Sequence, residues 1–134
     1  MMRKKMIAIA FVLIVIFLLV MVFVDRVKIA GDACGSVVYC YADKDIEAAL
    51  SQADSDAIRK IFQHKMLTKD SPACGFSPEV SVRFDALSLV FCPACDGCGI
   101  IYLESADKYF TISPKNTQRL HSILDKYGFV FPCV

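Results

Sequence analysis

From Met6 to Val24, nineteen residues pass without a charged or strongly polar side chain. At the helical rise of about 1.5 Å they would extend roughly 28 Å, close to the hydrocarbon thickness of a bilayer. The pattern predicts a membrane-spanning helix. A cleaved signal peptide usually carries an apolar region of only about 7–15 residues, followed closely by a small-x-small site. Here Asp25, Arg26, Val27 and Lys28 follow instead. Gly31-Asp32-Ala33, with Cys34 just after, is a late candidate for cleavage and lipid attachment. It lies far from the apolar run and contains an acid, so an uncleaved anchor is the expectation.

Beyond the anchor the periods change. Residues 25–40 hold two glycines and two cysteines and read as a juxtamembrane connector, with room for a short strand at Val37, Val38 and Tyr39. Residues 43–53 place Ile46, Ala49, Leu50 and Ala53 at helical spacing. Asp54 or Ser55 is then positioned to cap a second helix, whose apolar face carries Ile58, Ile61, Phe62 and the stem of Lys65 or Met66. These form an expected helix pair. Residues 71–79, with two prolines, a glycine and a cysteine, read as a loop.

Strand signals take over from there. Val80, Val82 and Phe84 alternate with Ser81 and Arg83, and residues 87–91, 99–104 and 109–112 supply three more short apolar runs. A four-stranded antiparallel meander is the simplest arrangement. The last helix has Ser113 as N-cap, Pro114 at its first position and Gly128 as its stop, with Leu120, Ile123, Leu124 and Tyr127 along one stripe. An apolar tail runs from Phe129 to Cys133. The expected fold class is therefore α+β: a cytoplasmic tail (1–5), an N-terminal transmembrane helix (6–24), the connector (25–40), and a small domain (41–134) with a helix pair, the meander and a C-terminal helix.

Charge adds orientation. Arg3, Lys4 and Lys5 crowd the N-terminal tail, and basic residues are retained on the cytoplasmic side, so the expected localisation is a single-pass cell-membrane protein with an extracytoplasmic C-terminal domain. All seven cysteines fall after the span, which suits an oxidising compartment. From Tyr41 onward there are 10 Lys plus Arg against 12 Asp plus Glu, scattered along the chain, and this excludes the basic stripe of a nucleic-acid binder.

The candidate chemistry is concentrated in FCPACDGCGIIY, residues 91–102, where Cys92, Cys95 and Cys98 stand three apart. A ferredoxin-type run needs a fourth cysteine after three more residues, and Tyr102 occupies that place. Structural zinc needs four ligands; Cys92, Cys95 and Cys98 would supply three, and Cys74, Cys133, His64 or His121 the fourth. A regular hairpin turning at Asp96-Gly97 gives a different answer. It sets Cys95 against Cys98 and Cys92 against Ile101, with Cys92 on the opposite, apolar face beside Val90 and Leu103. Pro93 removes a donor and leaves room for a bulge. A strand follows Cys98 and Asp96 adds negative charge, whereas reactive C-x-x-C thiols gain their low pKa from a helix N-terminus or cations. The expected connectivity is Cys34 with Cys40, Cys95 with Cys98 and Cys74 with Cys133, leaving Cys92 as a buried thiol.

His64 and His121 lie beside apolar helix faces with no partner at a motif spacing, and Asp43, Asp45 and Glu47 suit a helix start. No G-x-S-x-G, H-E-x-x-H, P-loop or dinucleotide fingerprint occurs. The functional expectation is a membrane-anchored, non-enzymatic binding or accessory domain with no cofactor, meeting a protein partner outside the cytoplasm. The alternative is a thiol-redox or metal-binding protein, zinc or iron–sulfur, that uses Cys92, Cys95 and Cys98.

Overall fold

The computed structural model describes residues 1–131. Helix α1 (Met2–Phe23) is the one helix among them long and apolar enough to cross a membrane, and none of its residues is buried. The remainder builds a six-stranded antiparallel sheet rather than the expected four: β1 (Ser36–Tyr41), β2 (Lys44–Ala49), β3 (Val80–Phe84), β4 (Leu89–Pro93), β5 (Ile100–Leu103) and β6 (Lys108–Thr111), in the order β2-β1-β3-β4-β5-β6. Helices α2 (Gln52–Phe62) and α3 (Pro114–Asp125) complete it.

The two extra strands come from the stretches expected as connector and first helix. Ile46, Ala48 and Leu50 satisfy a period of two as well as Ile46, Ala49 and Leu50 satisfy a helical one, because alanine fits either. In β2, Ile46 pairs with Tyr39 and Ala48 with Val37, and both apolar residues turn toward the core. The two-residue turn at Ala42-Asp43 holds Ala42 at φ 57°, a left-handed conformation that such hairpins require. The helix pair is thereby reduced to α2 alone. Its N-cap is Ser51, whose hydroxyl accepts from Asp54 N–H at 3.1 Å, in place of the expected Asp54 or Ser55. Buried Ser55 instead accepts from Gly35 N–H at 2.9 Å, joining the helix to the entry of β1. α2 stops at Phe62, so His64 lies beyond it, in a turn at φ 62°.

One sheet face carries Val37, Tyr39, Val80, Val82, Phe84, Phe91, Ile101, Leu103 and Phe110, and packs against Ile58, Ile61 and Phe62 of α2 and Leu120, Ile123 and Leu124 of α3. Phe62 lies at the centre of this layer, its ring 4.9 Å from that of Phe91 and 5.3 Å from that of Phe110. Val27 and Ile29 are equally part of this core, each 1% exposed. The stretch expected as a connector is therefore folded from residue 25 onward. It runs antiparallel to residues 64–67, with Val27 N–H donating to Lys65 O and His64 N–H to Val27 O, both at 2.9 Å.

The C-terminal helix follows its punctuation. Ser113 Oγ accepts from Asn116 N–H at 3.2 Å, Pro114 takes the first turn, and Gly128 turns the chain at φ 79°. Asp54 clasps the two helices together, accepting from Lys126 Nζ at 2.8 Å and Tyr127 Oη at 2.7 Å. Those two partners, Lys126 first, hold its carboxyl below the usual carboxylate range against the opposing effect of burial. A lowered folded-state pKa gives stability that is present above the ordinary carboxylate value and lost as pH falls through the folded one. Thermal melts of wild type and Asp54→Ala are therefore expected to differ at neutral pH, wild type melting higher, and to converge below the carboxylate range.

Candidate functional site

The second sheet face is covered by the loop between α2 and β3, and there the cysteines gather. Phe76 of that loop sets its ring 5.8 Å from Tyr102 and 5.3 Å from Tyr109, on β5 and β6. Pro78 O accepts from Ser81 Oγ at 2.7 Å and Arg83 Nη2 at 2.9 Å, and Cys95 N–H donates to Gly75 O at 2.9 Å. These bonds position Cys74 over the β4–β5 connection.

That connection is not the two-residue turn expected at Asp96-Gly97. Cys92 pairs with Tyr102 and Pro93 with Ile101, one residue out of the expected register, and Ala94 N–H donates to Ile100 O at 2.9 Å. The loop spans residues 95–99, with Gly97 at φ 70° and Gly99 at φ 83°. A side chain at Gly99 would strike Thr117 Oγ1 at 2.5 Å, so this loop packs directly on the start of α3. The shift of one residue moves Cys92 to the other face from Ile101 and Leu103. It is fully buried all the same, beside Tyr102, and burial above all pushes its thiol up to about 12.

At the loop tip, Cys74 Sγ and Cys98 Sγ lie 3.3 Å apart. Asp96 completes the group: one ligand atom from each of Cys74, Asp96 and Cys98 lies within 4.8 Å of the others. Cys98 N–H donates to Asp96 Oδ1 at 3.1 Å and fixes the carboxylate. The hydrogen bond with Cys98, then desolvation and Asp96, push the Cys74 thiol up to about 12, while the Cys98 thiol and backbone hold Asp96 below the usual carboxylate range. A raised pKa is the reverse of what a thiolate nucleophile needs.

The remaining candidates lie apart. Cys34 hydrogen-bonds Gln52 Oε1 at 2.9 Å and Cys40 Asp45 Oδ1 at 3.0 Å. Six residues of nearly extended chain, about 20 Å, separate their backbones, where a disulfide needs about 4.4–6.8 Å. The structure therefore does not join Cys34 to Cys40, and it sets Cys98 against Cys74 where Cys95 was the expected partner. The expected Cys74–Cys133 pairing lies outside the described residues, and among these no two sulfurs stand at bonding distance. Cys92, Cys95 and Cys98 do not form the three-donor group; Cys74 and Asp96 join Cys98 instead. Cys74 was among the expected fourth ligands, whereas Asp96, inside the run itself, was read only as a turn residue and a negative charge; the approach of Cys74 depends on how the covering loop docks.

His64 is exposed. His121 is half-buried, stacks on Phe131 at 4.0 Å, and has its pKa lowered by that burial. With Asp96, Asp125 and Phe129 it lines a groove of about 540 Å³ between α3 and the loop tip. Compared with family models, with curated proteins and with solved structures, the chain matches none.

Proposed function

We propose that this protein is a single-pass membrane protein whose α+β domain stands outside the cytoplasm and acts by binding another protein rather than by catalysis. The observation that carries the anchor is α1, exposed throughout and apolar after Lys5, leading without a spacer into a folded domain; the binding role rests on the sequence, which holds no catalytic motif. Its most apolar eighteen-residue stretch has a mean hydropathy of 3.4 and none of it is buried, which suits the interior of a bilayer. Arg3, Lys4 and Lys5 supply the orientation, and seven cysteines suit the oxidising side. There Cys74 and Cys98 would close as a disulfide, two thiols giving two protons and two electrons to a disulfide-form oxidant such as a thiol-oxidising partner protein.

Membrane fractionation with alkaline extraction tests the anchor, and protease added to intact cells tests the orientation. The full-length chain is expected to stay in the membrane pellet and its domain to be reached from outside. Release by carbonate, or protection of the domain until the cells are opened, would sink this reading.

A second reading is favoured by the donor set at the loop tip. Two thiols and a carboxylate within 4.8 Å of one another suit a zinc-class ion with a fourth position open. Zinc titration of the reduced full-length protein distinguishes the two: stoichiometric binding lost in Cys98→Ser would favour the metal, and a Cys74–Cys98 bridge in protein isolated without reductant would favour the staple.

A further inference from the structure

The two strand segments that meet where the chain leaves α1 form a surface of their own. Val24 caps the helix in an extended conformation, and Arg26 and Lys28 follow within about 10 and 17 Å of contour from Phe23. Residues 25–28 run antiparallel to residues 64–67, with Arg26 opposite Met66, and Arg26 Nη1 donates to His64 O at 3.1 Å. Val27 and Ile29 point into the core, so the alternation turns Arg26, Lys28, His64 and Met66 outward together. Met66 is 61% exposed, an apolar side chain among cations. Asp25 is held by an ion pair with Lys108 of β6, and Thr68 bridges Tyr109 of the same strand, while Lys69 lies farther on beside Asp107 and Tyr109. Two outward cations, Arg26 and Lys28, beside an exposed methionine are the composition of a surface that meets lipid head groups, the cations on phosphate and the thioether at the acyl boundary.

We propose that this face docks the domain onto the bilayer by binding anionic phospholipid head groups, so that the β6 edge of the sheet lies near the membrane and β2 lies away from it. The proposal rests on α1 being a span, because chain continuity is what delivers these residues to the interface. It does not depend on which side the domain occupies.

The chain contains no tryptophan, so a single introduced one reports its own surroundings. Full-length protein carrying Met66→Trp is reconstituted in vesicles of phosphatidylcholine, with or without phosphatidylglycerol, whose acyl chains bear bromine as quencher. A second variant, Tyr41→Trp, places the probe on β1, four strand spacings or about 19 Å from β6. The Met66→Trp emission is expected to shift to the blue and to be quenched roughly twofold more strongly with phosphatidylglycerol than without. High salt, or Arg26→Gln with Lys28→Gln, should remove that difference. The Tyr41→Trp emission should stay solvent-like throughout. Solvent-like Met66→Trp emission in both lipids, or equal quenching at both probes, in protein that alkaline carbonate does not release from the vesicles, would overturn the docking face and leave the span standing. Release of the chain from the vesicles would overturn both.

Discussion

In protein isolated without reductant, non-reducing peptide mapping is expected to return Cys74 joined to Cys98. Cys98→Ser should then lower the melting temperature on the order of 10 °C. The two cysteines are 24 residues apart, and a closed loop of that size removes a substantial part of the unfolded chain's freedom. Their sulfurs already lie at 3.3 Å, and small side-chain rotations bring them to the bonded distance of about 2.05 Å. The bridge would fasten the loop that shields Cys92, Tyr102 and Tyr109, which otherwise relies on the ring of Phe76 and on hydrogen bonds to Gly75 and Pro78. Cys74→Ser should reproduce the loss, the double variant should add little, and reductant should bring wild type to the same value. Independent, additive losses would show that the two cysteines do not share a bond.

The other large effect concerns where the domain begins. A chain starting at Asp25 is expected to fold without α1, and one starting at Tyr41 is expected not to fold at all. The second deletion removes Val27, Ile29 and Val37, each at most 1% exposed. Their burial contributes on the order of 6 kcal/mol, against a typical net stability of about 5–15 kcal/mol. It also removes β1, which lies between β2 and β3, so β2 loses its only neighbour in the sheet. Amide chemical-shift dispersion and a cooperative thermal transition distinguish the two chains. A cooperative transition in the shorter one would mean that the sheet from β3 to β6 holds with α2 and α3 alone.

That boundary also shows what was legible in the sequence. α3 was readable because Ser113, Pro114 and Gly128 each have a local reason to sit at a helix end. The strands β3 to β6 were readable because their apolar runs are short and their turns polar, although the register of β4 on β5 was off by one residue. The first and last of their three connections turn on a left-handed residue that is not glycine, Ser88 at φ 54° and Asp107 at φ 50°. β2 was not readable: its alanines serve either period, and the Ala42-Asp43 turn carries neither glycine nor asparagine to mark it. Val27 and Ile29 offer only two alternating positions, too few for a pattern, and their burial depends on residues 63–67. The C-x-x-C-x-x-C spacing drew attention to the correct loop and the wrong partners. Cys74 reaches Cys98 only through the docking of a long irregular segment, which local propensity does not encode.

The way α1 joins the domain has a consequence for biosynthesis. Residues next to α1 are made early, yet Arg26 waits for His64, 38 positions on, and Asp25 for Lys108, 83 positions on. The local hairpins β3–β4 and β5–β6 close over short loops and are free to form as they emerge, whereas the stretch after α1 stays open until residues 64–67, and for Asp25 until Lys108, are available. The stretch after α1 is therefore without its strand partners for roughly the first half of synthesis, and the ion pair of Asp25 with Lys108 is the contact whose second member is made last.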